Sequence, residues 1–204
     1  MTCQLEAEGL CCVRGVRQLF VDVSFSIANG QWLHVSGDNG RGKSSLLRIL
    51  AGLSRPEAGV IKWNGEHIDE SENFASSRFF LSHLTAVKDE LTARENLSYS
   101  CALESGGFPP QKKINDALAK VGLTHCAALH ARYHSEGQKR RIILARLCLT
   151  QAKLWVLDEP FTALDRDGVQ LLSGMLEKHL SRGGLAVLTS HQSIPMRGGL
   201  VMKL

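Results

Sequence analysis

The spacing of apolar positions changes along the chain and divides it into three stretches. Phe20 to Ile27 alternates apolar and polar residues, as a half-buried strand does. Asn29-Gly30 marks a turn, and Gln31 to Ser36 reads as the next strand. Val60 to Trp63, Asn64-Gly65 and Glu66 to Ile68 predict a hairpin, because Asn-Gly suits a type I′ turn. Between these strands, Lys43 to Ala51 predicts a helix closed by Gly52. The middle of the chain reads helical. Thr92-Ala93-Arg94-Glu95 and Ser135-Glu136-Gly137-Gln138 both fit the capping box, the second opening a run from Lys139 to Leu149. The Gly- and Pro-rich stretch from Glu104 to Pro110 joins two helices. Leu154 to Leu157 and Leu185 to Thr189 are continuous apolar runs, the pattern of parallel strands buried on both faces. A helix over 168–180 separates them. This strand–helix–strand order predicts an α/β core with a mostly parallel sheet, interrupted by a helical insertion over 85–150.

Composition narrows the class. At 204 residues the chain is one domain's length, and 44% hydrophobic with 22% charged residues is ordinary globular usage, which excludes a disordered chain. No apolar run approaches the roughly 18 residues needed to span a bilayer. Met1 to Glu6 shows neither the basic nor the apolar region of a secretory signal, so none is expected. Six scattered cysteines without a CxxC pair read as buried thiols. A net charge of +4 is too mild to point to a nucleic-acid partner.

Four segments carry chemistry. Gly37-Asp38-Asn39-Gly40-Arg41-Gly42-Lys43-Ser44 matches G-x-x-x-x-G-K-[ST]. Its glycines let successive backbone N–H groups turn toward phosphate oxygens, and the following helix adds its positive end. Lys43 supplies a cation for the β- and γ-phosphates, and the Ser44 hydroxyl a ligand for Mg²⁺. Asp158-Glu159 ends an apolar strand at the carboxyl edge, where open α/β sheets bind ligands. Asp158 there holds Mg²⁺ through water, and Glu159 polarises an attacking water. Ser135 and the N–H groups behind it form a second anion site. His191 follows the strand ending at Thr189, again at a carboxyl edge, as a γ-phosphate sensor.

These elements, in this order, resemble the ATP-binding domain of ABC transporters over nearly the whole chain. Asp38 to Ser45 is similar to that family's Walker A, and Ser135-Glu136-Gly137-Gln138 to its signature motif, usually LSGGQ. Asp158-Glu159-Pro160 resembles Walker B with the catalytic Glu, Ala163-Leu164-Asp165 the D-loop, and His191 the switch histidine. The resemblance implies a P-loop fold with an N-terminal antiparallel β part. It implies a nucleotide core at 1–84 and 151–204, and a helical subdomain over about 85–150. It implies ATP and Mg²⁺ as cofactors, with Ser135, Gly137 and Gln138 closing over the ATP of a second copy. Integral membrane transporter subunits would be further partners, met at the cytoplasmic face of the bacterial inner membrane. Residues 52–59, 144–150 and 154–162 more narrowly resemble the ATPase subunit of the bacterial cytochrome c maturation system, a family described as a haem exporter whose ATPase drives release of haem-loaded chaperone.

Three positions depart from the family pattern. Arg14 stands where an adenine-stacking aromatic is usual, although a guanidinium also stacks on a base. His134 replaces the signature Leu. Leu84 takes the place of the Q-loop Gln and has no lone pair for Mg²⁺. Three alternatives stand beside the haem-related reading: the ATPase of another small exporter, a soluble ABC ATPase acting on DNA or ribosomes, and a non-hydrolysing regulatory subunit. Soluble ABC ATPases typically need a long coiled-coil insertion or tandem sites, and intact Glu159 and His191 argue for turnover.

Overall fold

The first strand explains why its own alternation is hard to read. β1 (Gln4–Arg14) buries Leu5 and Ala7, then Leu10 and Cys12. The period slips at Gly9, where φ is 61° and the pairing with β2 (Arg17–Ala28) shifts register. A bulge of this kind moves the apolar set along by one residue while keeping it on the core face. β3 (Trp32–Ser36) leads through the phosphate-binding segment into α1 (Lys43–Leu50). β4 (Ala58–Trp63) and β5 (Glu66–His67) form the expected hairpin, with φ of 55° at Asn64 and 85° at Gly65, as a type I′ turn requires. These strands make a four-stranded antiparallel sheet in the order β2-β1-β4-β5.

A short α2 (Phe74–Ser77) leads to β6 (Arg78–Leu81). With β7 (Leu154–Leu157), β8 (Leu185–Thr189) and β9 (Leu200–Lys203) it joins β3 in a second sheet, ordered β6-β7-β8-β3-β9 and parallel throughout. Every residue of β7 and β8 is buried, which accounts for their unbroken apolar runs. Leu46, Leu47, Ile49 and Leu50 of α1 are at most 1% exposed and share a core with Leu33, Val35, Val156 and Val187. Each such side chain contributes about 1.5–3 kcal/mol on burial. This packing fixes the start of α1 against the carboxyl ends of β3, β7 and β8.

The computed structural model describes residues 3–82 and 87–204. The expectations for Leu84 therefore lie outside the described residues. The chain divides into two units. The first holds both sheets and comprises Met1–His83, Ala152–Pro160 and Leu176–Leu204; the second comprises Leu84–Gln151 and Phe161–Met175. The second is helical, with α3 (Ala93–Ser105), α4 (Gln111–Lys120) and α5 (Glu136–Ala145), the last followed by a 3₁₀ turn over Arg146–Cys148. Leu97, Ile114, Leu118 and Ile142 are its buried centre. Both predicted capping boxes are formed, at Thr92 and Ser135. α6 (Arg166–Ser181) begins in the helical unit and ends in the sheet unit. Near its end His179 stacks on Trp155, with centroids 3.9 Å apart and planes inclined by 10°. Its Nε2 lies 3.1 Å from the carbonyl oxygens of both Lys153 and Leu185. Burial pushes the imidazole pKa down to about 4 against the pull of those two carbonyls.

Candidate nucleotide site

The phosphate-binding segment runs from the end of β3 into α1, and its shape needs glycine. Gly37, Gly40 and Gly42 have φ of 142°, 78° and 98°, where an L side chain is strained. Space forbids a Cβ as well. At Gly37 it would meet the backbone oxygen of Leu204 at 2.8 Å, and at Gly42 the Cβ of Leu19 at 2.9 Å. The neighbouring strands thus hold the loop closely. Gly42 caps α1, and its carbonyl accepts the first helical bond, from Leu46 N–H at 2.8 Å. Lys43 is 7% exposed and folds back over the loop, its Nζ donating to the carbonyl oxygens of Gly37 (2.7 Å) and Asp38 (3.2 Å). Ser44 and Ser45 follow it in the first turn of α1, half-buried. Asp38, Asn39 and Arg41 are exposed along the loop.

At the carboxyl edge of the parallel sheet one hydroxyl ties two acids together. Thr189, fully buried at the end of β8, donates to Asp158 Oδ1 at 2.8 Å and accepts from the Glu159 backbone N–H at 2.8 Å. Asp158 is 3% exposed, and its own N–H donates to the Leu81 carbonyl of β6. Glu159 has φ of 49°, a left-handed conformation that costs a non-glycine residue about 1–3 kcal/mol. Its carboxylate meets His191 twice. The His191 backbone N–H donates to Oε2 at 3.3 Å, and imidazole Nε2 lies 3.3 Å from Oε1. Three of the residues singled out by sequence, Asp158, Glu159 and His191, therefore form one cluster. Thr189, which joins two of them, carries no motif of its own.

In the helical unit Ser135 is the N-cap of α5. Its Oγ accepts from Gln138 N–H at 3.2 Å, and Gln138 Oε1 accepts from Ser135 N–H at 2.9 Å. Gln138 thus spends its carbonyl oxygen on the cap. The φ of Gly137 is unexceptional, and a Cβ there would sit 3.6 Å from the Ala163 carbonyl, an ordinary contact. His134 is 6% exposed, with Nδ1 3.1 Å from the His130 carbonyl oxygen. One helical turn on, Arg141 holds Asp165 through both carboxylate oxygens, at 2.8 and 2.9 Å. The Gly168 N–H and then Arg141 keep the Asp165 carboxyl below its usual pKa. This bidentate pair joins the signature-like helix to the segment resembling a D-loop, a link that residue spacing does not announce.

Arg14 is exposed at the end of β1. It faces Arg17 across the β1–β2 turn, and its guanidinium lies against the Cys12 thiol. Among the described residues, no cluster of three or more His, Cys, Asp or Glu side chains is placed to hold a metal ion. Nor is any helix among them long and apolar enough to cross a membrane.

The family model for ABC transporters matches residues 20–162. The cytochrome c biogenesis ATP-binding export protein CcmA of Nitrosomonas europaea is 47% identical over 193 residues, 94% of this chain and 90% of the relative. An ABC transporter ATP-binding protein from Pyrococcus furiosus superposes with a TM-score of 0.84 at 25% identity, over 98% of this chain and 97% of that one. A dimeric ATP-binding cassette in a post-hydrolysis state, bound to ADP and Pi, shares the fold with a TM-score of 0.76 at 21% identity, over 92% of this chain and 88% of that one. Most of the chain matches the family model, and nearly half its residues recur in a relative of similar length, so the chain belongs to the ABC transporter family.

Proposed function

We propose that this chain is the ATP-hydrolysing subunit of an ABC transporter complex that serves cytochrome c biogenesis by driving haem export or release of a haem-loaded chaperone. The name carried by a 47% identical relative supports the biological role. The observation that carries the chemistry is the cluster at the sheet edge, a strained Glu159 held by His191 beside a buried Asp158.

ATP binds along residues 37–45, with the γ-phosphoryl group facing Lys43. On binding, Lys43 exchanges the Gly37 and Asp38 carbonyls for phosphate oxygens, and the loop amides share the charge. Asp158 and Ser44 offer hard oxygen donors, a donor set that fits Mg²⁺, which keeps most of its water. When bound, Mg²⁺ would neutralise charge on the phosphates. Glu159 orients the attacking water and takes its proton. The His191 backbone N–H and imidazole hold the two carboxylate oxygens of Glu159 in position. Positioning and electrostatics do most of the work, because phosphoryl transfer asks little covalent chemistry of the protein.

The two units are read as one ATP-binding domain; the expected core at 1–84 and 151–204 gives up 161–175 to the helical subdomain expected over about 85–150. Ser135, Gly137 and Gln138 close over the ATP of a second copy in a C2 pair. A solved neighbour bound to ADP and Pi is likewise dimeric, which supports a pair. Integral membrane subunits supply the path across the inner membrane, with this chain peripheral on the cytoplasmic face. The test is genetic and biochemical together. Deleting the gene should abolish c-type cytochromes, wild type should restore them, and Glu159→Gln should not. The integral subunits should co-purify with the chain from membranes. Normal c-type cytochromes in the deletion strain would contradict the haem-related role and leave an ATPase of another exporter.

A further inference from the structure

We propose that Arg17 is a nucleotide-contacting residue that sets a second cation against the phosphate loop, so that this ATPase reads the charge of its nucleotide more than its base. The inference rests on the ATPase reading above. β2 is pressed onto the loop through Gly42, where a Cβ would meet Leu19 at 2.9 Å and the Phe20 ring at 3.0 Å. That contact fixes the start of the strand, and Arg17 is its first residue. The outcome is specific. A Cβ built on Gly40 would lie 3.8 and 3.9 Å from the two terminal nitrogens of Arg17. The guanidinium therefore stands beside the turn whose N–H groups face phosphate.

Arg17 is exposed, and among the described residues no carboxylate pairs with it. Its charge is unspent. Arg14 differs although the two residues are register partners, because Arg14 is engaged at Cys12. The hairpin thus divides its two arginines, one kept against its own strand and one over the loop. A guanidinium is a planar fork matched to phosphate oxygens, and a bond to an ionised group is roughly twice as strong as a neutral one. Such a contact is blind to the base. Adenosine and guanosine triphosphates present the same phosphates, so affinity gained at Arg17 is gained equally for both.

The test is calorimetric titration of the full chain with MgATP, MgGTP and MgADP, at low and high salt. Arg17→Ala should weaken MgATP and MgGTP by the same factor, about tenfold, and flatten the salt dependence. Arg17→Lys keeps the charge without the planar fork and should recover only part of the loss. Thermal melting without nucleotide should be unchanged, since Arg17 supports no packing. Two results overturn the proposal: unchanged affinities in Arg17→Ala, or a loss confined to ATP, which would make Arg17 a base-stacking residue. Lys43→Ala separates these from failure of the ATPase reading itself. If wild type binds no nucleotide, or Lys43→Ala binds as wild type does, the site is not an ATP site and the Arg17 contact falls with it.

Discussion

The edge of the parallel sheet and the start of α5 both point to phosphate chemistry, and they are built by opposite means. At the sheet edge the polar groups are tied to one another, with the deepest of them withdrawn from water. Asp158 is buried, Thr189 bridges it to the Glu159 backbone, and His191 holds the Glu159 carboxylate. At α5 the polar groups close on themselves. Ser135 and Gln138 satisfy each other in a capping box, and Arg141 satisfies Asp165. On the proposed function the first arrangement holds a base and a metal ligand at fixed positions. The second leaves backbone N–H groups and a small residue, Gly137, as what it can present to an anion from outside. On the proposed function one region performs the reaction and the other completes it from a neighbouring copy.

Breaking the sheet edge should give the largest effect. Glu159→Gln keeps the shape and removes the proton acceptor, so ATP binding should persist while steady-state turnover falls by about 10² or more. Turnover near wild type would show that another group is the base. Thr189 comes next. Thr189→Val deletes the hydroxyl between two acids and leaves a buried carboxylate oxygen short of a donor, at a cost of about 1–3 kcal/mol in stability. Turnover should drop about tenfold, and Thr189→Ser should restore most of it, because the bridging oxygen is kept. If Val and Ser behave alike in an ATPase assay, the bridge is structural only.

His179 sharpens the contrast in stability. Its pKa is about 4 in the folded protein against an ordinary 6.5, so the native state favours the neutral ring. The unfolded chain binds the proton first as pH falls, and stability declines from pH 6.5 toward 4. The loss should reach about 2 kcal/mol by about pH 5, and His179→Gln should remove that slope in urea melts across the range. An unchanged slope would assign the acid sensitivity to other groups. The smallest effect belongs to the helical side. Ser135→Ala removes an N-cap and should cost about 1 kcal/mol, read by thermal melting. Its ATP affinity as an isolated chain should be unchanged if, as proposed, the residue serves another copy's nucleotide.

What the sequence made legible follows the same division. The phosphate loop, the acidic pair and both capping boxes were readable because each is a local arrangement of fixed spacing. Their elements stand as expected, down to the positive φ of Asn64 and Gly65 in the hairpin turn. β1 was not readable as a single alternation, because the bulge at Gly9 breaks it in mid-strand. β6 and β9 are only four residues long and carry too few positions to show a period. Thr189, Arg17 and the Arg141–Asp165 pair escaped for a different reason. Each acts on residues far along the chain, or across a strand contact that only the folded sheet creates. Residues 161–175 likewise belong with the helical unit through packing that no motif encodes.

The claim that the two regions act on one ATP from different copies has a direct test. Sedimentation velocity of Glu159→Gln, with and without MgATP, separates one chain from two. With hydrolysis slowed by about 10² or more in this variant, a pair held by ATP between loop and signature should accumulate. A monomer is expected without nucleotide and a dimer with it, and that dimer should be lost in the double variant carrying Ser135→Arg. A monomer at high protein concentration with saturating MgATP would contradict the claim.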